Sequence, residues 1–495
     1  MNPFLTKHIA PSPHVDAGEP VEGSLEGEAT LRRVLTARHL VLLGIGGVIG
    51  AGIFVLTGQA AAQHAGPGII LSFVMAGFAC ALAGLCYAEF AAMMPVSGSA
   101  YSYSYATLGE GVAWFIGWNL ILEYLFAAST VAVGWSGYMN SLLGSIGTWA
   151  GVSLALPDAL ASAPLTVANG RIVTTGAIIN LPAILIVVAI SALCYRGIRQ
   201  SATANAVIVS IKLTVILLFV AFSLQYVDPA NWQPFIPAEE DGRFGFQGVA
   251  RAAAIVFFAY IGFDAVSTAA QETINPQRNM PIGILGSLAI CTLVYIVVCA
   301  VLTGMVPYYE LGTAKPVATA LGFYPKLLWL KTVVEIGAVA GLTSVILVMI
   351  MAQARIFYAM AKDGLVSPAF GRAHPKFRTP GFGTIFVGVI ATTLAGLLPI
   401  GVLGDLVSMG TLLAFATVCI GVLVLRYTRP DLPRAFRVPM AIVICPVGAA
   451  ACLYLFAQTF ADNWHWMSAW IVIGVLIYLF YGSKRSVLQK AHAAR

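Results

Sequence analysis

Two glycine-rich stretches offer backbone rather than side chains as their chemical surface. They are Gly44-Ile-Gly-Gly-Val-Ile-Gly-Ala-Gly-Ile-Phe54 and Phe257-Phe-Ala-Tyr-Ile-Gly-Phe-Asp264, and each falls mid-way along a hydrophobic run. Glycine weakens a helix interior by roughly 1 kcal/mol relative to alanine. A helix that breaks exposes N–H groups at its new N-terminus and carbonyls at its new C-terminus. At membrane depth such groups are tolerated only where they face protein or a water-filled cavity. The N–H groups of Gly50, Ala51 and Gly52, with Val48 at the edge of the same break, suit a carboxylate. The carbonyls of Phe258, Ala259 and Ile261 suit an ammonium. Together they describe a receptor for a zwitterion. The plain alternative is a small-residue packing face through Gly46 and Gly50. Five glycines within nine residues, matched by a second break, weigh against that alternative.

Charged side chains inside apolar runs are the next candidates, because each costs roughly 2.5–3.5 kcal/mol or more at the bilayer centre. Lys212 lies in Val209-Ser-Ile-Lys-Leu-Thr-Val215. Burial disfavours the ammonium, so such a lysine can load and release a proton. Its compact positive charge can also stand where a sodium ion would, or serve as a fixed ammonium on carbonyls of the first span. Glu123 is placed to meet a cationic head group, a water or a neighbouring helix. Asp264, two residues past Gly262, can satisfy the N–H groups freed there or take part in gating or proton transfer. Phe258 and Tyr260 are either a lid over a ligand or core aromatics. Glu89 and Arg355 lie toward span ends, where a gate ion pair and simple helix packing are both open.

These groups need a membrane scaffold. The 495 residues are 59% hydrophobic and 10% charged, against about 25% charged for a soluble domain. Runs of ~20 apolar residues cross a bilayer. Twelve are expected, at 39–62, 68–94, 112–140, 175–195, 203–226, 247–271, 281–306, 329–361, 383–400, 404–427, 438–461 and 466–482. Lys and Arg concentrate in segments on one side, which puts both termini in the cytoplasm. The net charge of +6 thus reflects topology; no basic stripe with aromatics suggests nucleic acid. The eight cysteines fall within or at the edges of spans, so neither a disulfide framework nor a zinc site is expected.

The division expected is a cytoplasmic tail at 1–37, a five-helix half at 38–226 and an outer loop at 227–246. A second five-helix half at 247–427, peripheral spans within 428–482 and a tail at 483–495 follow. Residues 29–38 mix basic and apolar positions at helical spacing, expected as a short amphipathic helix on the inner surface. Each half opens with a broken helix. Because five is odd, the halves are inverted, which places a binding site near the midplane between the breaks.

The chain resembles the amino acid–polyamine–organocation transporters, and among them the bacterial relatives of the cationic amino acid transporters. The resemblance runs over about residues 29–482. Its motifs are Leu35-Thr-Ala-Arg-His-Leu40, the Gly44–Phe54 run, Leu85-Cys-Tyr-Ala-Glu-Phe90 and Ser97-Gly-Ser-Ala-Tyr101. They continue with Gly117-Trp-Asn-Leu-Ile-Leu-Glu-Tyr124, Phe258–Asp264, Asn275-Pro-Gln-Arg278 and Arg355-Ile-Phe-Tyr-Ala-Met-Ala-Lys-Asp-Gly364. It implies an all-α LeuT-type fold of inverted repeats with broken helices 1 and 6, alternating access, and substrate binding at the two breaks. It also implies that Lys212 matches the lysine that replaces sodium in proton-coupled members, so that a proton is the coupling ion and no cofactor or metal is needed. The protein is then a transporter of the bacterial inner membrane, not an enzyme.

Substrate choice stays open at the far end of the pocket. Glu123 would favour a cationic side chain such as arginine, lysine or ornithine. Leu342, in Gly341-Leu-Thr-Ser344, would shorten the pocket toward small or neutral L-amino acids such as alanine. Exchange rather than symport, sodium coupling and a non-transporting sensor are further alternatives. Gly134-Trp-Ser-Gly137 matches a serine-nucleophile pattern, but no histidine lies mid-span to act as base. Besides its substrate, the expected partners are membrane lipid and a small accessory membrane protein near spans 11 and 12.

Overall fold

A computed structural model describes residues 4–6, 34–94, 99–168, 171–197, 202–240, 243–377 and 379–493. The protein is predominantly helical. Among the described residues, nine helices are long and apolar enough to cross a membrane, and two shorter apolar helices accompany them. We number the principal helices α1 (Ala37–Val48), α2 (Ile69–Met93), α3 (Glu110–Ala150), α4 (Leu181–Arg196), α5 (Ala202–Ser223) and α6 (Gly245–Val256). They continue as α7 (Pro276–Met305), α8 (Leu328–Lys362), α9 (Gly381–Leu397), α10 (Ile400–Thr428), α11 (Ala441–Ala461) and α12 (Asn463–Arg485). The apolar runs expected from the sequence fall on helical segments, the last two lying largely within one continuous helix, Ala441–Ile477.

The helices pack as interlocking pairs. α1 lies on α7 and α5, α8 lies along α3, and α4 pairs with α9. α11 and α12 lie beside α10. Cys445 on α11 reaches Cys86 on α2, Asn463 reaches Asp405 at the start of α10, and Tyr478 returns to Glu110 at the start of α3. The α11–α12 run, helical without interruption over Ala441–Ile477, thus reaches α2, α10 and the start of α3 in turn. Both chain ends meet at one end of the bundle. Glu110 accepts from Ser486 and from Tyr105, and its backbone N–H donates to Leu5.

Three local expectations are corrected. The fourth apolar run was expected from residue 175, but α4 starts at Leu181. Ahead of it an antiparallel hairpin pairs β1 (Leu165–Ala168) with β2 (Arg171–Thr174). Asn169-Gly170, a strong two-residue hairpin signal, sits between the strands and was the cue available. The second correction concerns the amphipathic helix at 29–38: residues 29–33 lie outside the described residues, and 34–36 are not helical. Instead Leu35 forms a parallel bridge with Thr273, and helix begins at Ala37. Thirdly, of the two roles left open for Glu89 and Arg355, the gate pair is not formed: Arg355 is exposed. The Glu89 carboxylate takes Arg426 at 2.6 Å, Arg434 at 3.4 Å and the Val438 N–H at 2.7 Å.

Candidate functional site

The first break lies where the glycine spacing placed it. α1 ends at Val48, Ile49 is extended (φ −72°, ψ 99°), and helix resumes with a wide π-helical turn at Gly52–Leu56. Neither the Gly50 nor the Ala51 N–H donates any of the loop and cap backbone bonds among the described residues, and Gly52 opens the π-helical turn. On the other side of the gap, the Lys212 ammonium on α5 donates to the Gly46 and Ile49 carbonyls, each at 2.9 Å. It thus takes up carbonyls at the negative end of α1, where a cation is favoured. The resumed helix is held by Thr57, whose hydroxyl donates to the Gly52 carbonyl at 2.9 Å, and by Tyr138, which donates to the Phe54 carbonyl at 2.6 Å.

The second break is built differently. α6 tightens into a 3₁₀ turn at Phe257–Tyr260, and Ile261 is extended. Gly262 adopts φ 118°, a conformation that disfavours side-chain-bearing residues. A second 3₁₀ stretch follows at Asp264–Glu272. Asp264 accepts from the Gly262 N–H at 3.1 Å, so it does cap the freed backbone, and it also accepts from the Tyr124 hydroxyl on α3. Two of the three expected ammonium-binding carbonyls are already engaged. Phe258 accepts from the Ile261 N–H at 3.1 Å, and Ala259 accepts from the Tyr295 hydroxyl at 2.8 Å. Each carbonyl still has a second lone pair.

The two breaks touch. A Cβ on Gly52 would collide with the Cα and Cβ of Ala259, and one on Gly47 would come within 3.2 Å of the Gly262 carbonyl. Gly52, and less severely Gly47, are thus required by close approach, not by unusual backbone angles. The packing face expected through Gly46 and Gly50 is not what meets the second break: Gly47 and Gly52 do, while Gly50 faces Val345 of α8. Tyr295 on α7 ties the pair, its hydroxyl lying 2.8 Å from both the Val48 and Ala259 carbonyls. Sequence reasoning missed Tyr295: it stands in an unbroken apolar run, and nothing local marks it.

The remaining candidates fall around this contact. Glu123, on the π-helical turn Leu122–Phe126 of α3, is fully buried. Neither of its carboxyl oxygens has a hydrogen-bond partner among the described residues. Asp264 and Thr411 of α10 are its polar neighbours. Tyr260 is part of the core, donating to the Phe73 carbonyl at 2.9 Å and packing its ring on Phe73 and Tyr295. Phe258 is also buried. Leu342 is fully buried on α8, between Gly341, which meets the Lys212 side chain, and Val345, which meets Gly50. Ser136 of the nucleophile-like pattern donates to the Asn180 side chain at 2.6 Å, a purely structural role.

Comparison with known proteins agrees with this architecture. Residues 35–481 match the family model described as amino acid permease. A methylthioribose transporter of Bacillus subtilis (strain 168) is 47% identical over 461 residues, covering 93% of this chain and 96% of the relative. The branched-chain amino acid permease BcaP of the same organism is 46% identical, covering 94% and 96%. Among solved structures, MhsT in complex with L-phenylalanine superposes with a TM-score of 0.61 at 15% identity, covering 88% of this chain and all of that one. That likeness establishes a LeuT-like fold.

Proposed function

Because the chain belongs to the amino acid permease family, we propose that it carries a neutral, apolar L-amino acid inward across a bacterial inner membrane by alternating access, driven by protons. Membership makes it a multi-pass membrane transporter and not an enzyme. The observation that carries the finer reading is the first break: Gly50 and Ala51 N–H groups that donate no loop or cap backbone bond among the described residues on one side of the gap, and a lysine on the opposite carbonyls. The substrate carboxylate binds Gly50, Ala51 and Gly52. Its ammonium binds the carbonyls of Phe258, Ala259 and Ile261, and Val48 and Leu342 border the side chain. Lys212 loads and releases the coupling proton, since a change in its charge alters its hold on the end of α1. The halves 38–226 and 247–427 act as inverted repeats with the chain ends in the cytoplasm.

A neutral side chain is supported by the buried Leu342 and by the relative named for branched-chain amino acids. A second reading, a cationic side chain, is favoured by the unpartnered carboxyl of Glu123. The deciding experiment is proteoliposome uptake of the twenty amino acids and of methylthioribose, first under a pH gradient and then under a sodium gradient. Proton-driven accumulation of leucine, isoleucine, valine or alanine, rising as the outside is acidified, is expected. Accumulation driven by sodium alone overturns the coupling. Accumulation confined to arginine, lysine and ornithine overturns the substrate class.

A further inference from the structure

At the end of the bundle opposite the chain termini lies a cavity of ≈350 Å³, between the end of α3, the start of α8 and the segment carrying Lys315. Its volume falls within the range of small-molecule sites, about 300–1,000 Å³. Two ammonium groups line it, on Lys315 and Lys331. Lys331 is spoken for: it lies 3.4 Å from Glu335 and donates to Ser145 at 3.1 Å. Glu335 is saturated in turn, accepting from Ser141 at 2.5 Å and Ser145 at 2.8 Å. The Lys315 ammonium has neither a hydrogen-bond nor an ion-pair partner among the described residues, and the cavity is left with one uncompensated positive charge. Burial and the neighbouring Lys331 push the Lys315 ammonium down from its ordinary value, while Glu335 and Asp158 act more weakly the other way. An anion entering the cavity relieves both effects.

The position of Lys315 gives the cavity a role. Its neighbour Ala314 packs on Gly137 of α3, and Pro316 packs on Gly58, in the continuation of the first broken helix. A Cβ on Gly58 would collide with Pro316 and with the Leu311 carbonyl. Lys315 is therefore mounted on the segment that covers the outer half of that helix. Trp149, largely exposed, and the partly exposed Leu328 supply an apolar wall beside the charge.

We propose that this cavity is an outer waiting site for the substrate, in which Lys315 captures the carboxylate of an amino acid and Trp149 and Leu328 receive its side chain. The proposal rests on amino acid transport and on this end facing outward. Lysine footprinting of the full chain in nanodiscs, read by mass spectrometry, tests it with L-leucine and with L-leucinol, which lacks the carboxylate. L-leucine is expected to protect Lys315 from acylation both in the unaltered protein and in Gly52→Val, whose central site is blocked. L-leucinol should not protect it, and the exposed Lys326 should react equally throughout. No protection by L-leucine, equal protection by L-leucinol, or protection lost in Gly52→Val overturns the site. The last outcome would mean the signal comes from the breaks, leaving the proposed function intact. In uptake assays Lys315→Gln should raise KM about fivefold at unchanged maximal rate, the scale of one partly exposed charge pair; an unchanged KM also overturns the site. Protection of Lys315 without any leucine uptake would instead count against the transport reading alone.

Discussion

The two breaks interrupt their helices by opposite means. The first is held open from outside. Lys212 of α5 and Tyr138 of α3 take its carbonyls, and the Gly50 and Ala51 N–H groups donate no loop or cap backbone bond among the described residues. The second closes on itself: Asp264 caps the Gly262 N–H, and the Phe258 carbonyl turns back to Ile261. On the proposed function, the carboxylate end of the site is thus preformed, whereas the ammonium end must add a donor to carbonyls already in use. An unpaired buried donor or acceptor costs about 1–3 kcal/mol, so the first break carries the larger standing cost. In the proposed reading a bound carboxylate recovers that cost, so the first break would supply affinity and the second adjustment.

Five substitutions break or sharpen this contrast. The largest effect is expected at the contact itself. Gly52→Val would drive a side chain into the Ala259 backbone, which cannot turn aside, and uptake should fall to background while the protein stays folded by size-exclusion chromatography. Gly50→Ala is the companion measurement: its Cβ meets only a Val345 methyl at 3.1 Å, so measurable uptake should remain. Equal loss in both would remove the distinction between backbone and side-chain contact.

Next is Lys212→Met, which empties the hold on the Gly46 and Ile49 carbonyls. Accumulation under a pH gradient should vanish, while counterflow exchange of preloaded substrate persists. Unchanged pH-driven accumulation would take Lys212 out of the coupling.

Tyr295→Phe removes the single hydroxyl shared by both breaks and should cost about 1–3 kcal/mol. The thermal midpoint should drop without substrate and drop less with it, because the substrate ammonium can occupy the vacated acceptor on Ala259. A drop that substrate leaves unaltered would place the ammonium elsewhere.

The smallest effect is expected from Leu342→Ser, which should ease longer side chains by about tenfold or less, the scale of a methylene or two in an apolar pocket. Unchanged side-chain preference in competition uptake would mean Leu342 does not border the pocket.

Much of this was legible along the chain because the signals are local. Apolar runs gave the helices, glycine spacing gave both breaks, and a lysine inside an apolar run marked itself by its cost. Asp264 was legible too, being two residues from the glycine it caps. The unread parts depend on partners far away in sequence. Arg426 and Arg434 reach Glu89 across more than 330 residues, and Tyr295 reaches Val48 across 247. The hairpin before α4 was overlooked although Asn169-Gly170 carried its turn chemistry.

The sequence by itself determined a helical membrane protein, the two places where helices fail, and the type of backbone group each failure offers. Those follow from hydrophobic length and from glycine, both properties of short segments. Only the tertiary structure decided that Gly52 rests on Ala259, that Lys212 holds the end of α1, and that Tyr295 joins the breaks. The reason is physical. A buried polar group must find a partner wherever packing brings one, and packing brings together segments whose sequence separation carries no trace of the contact.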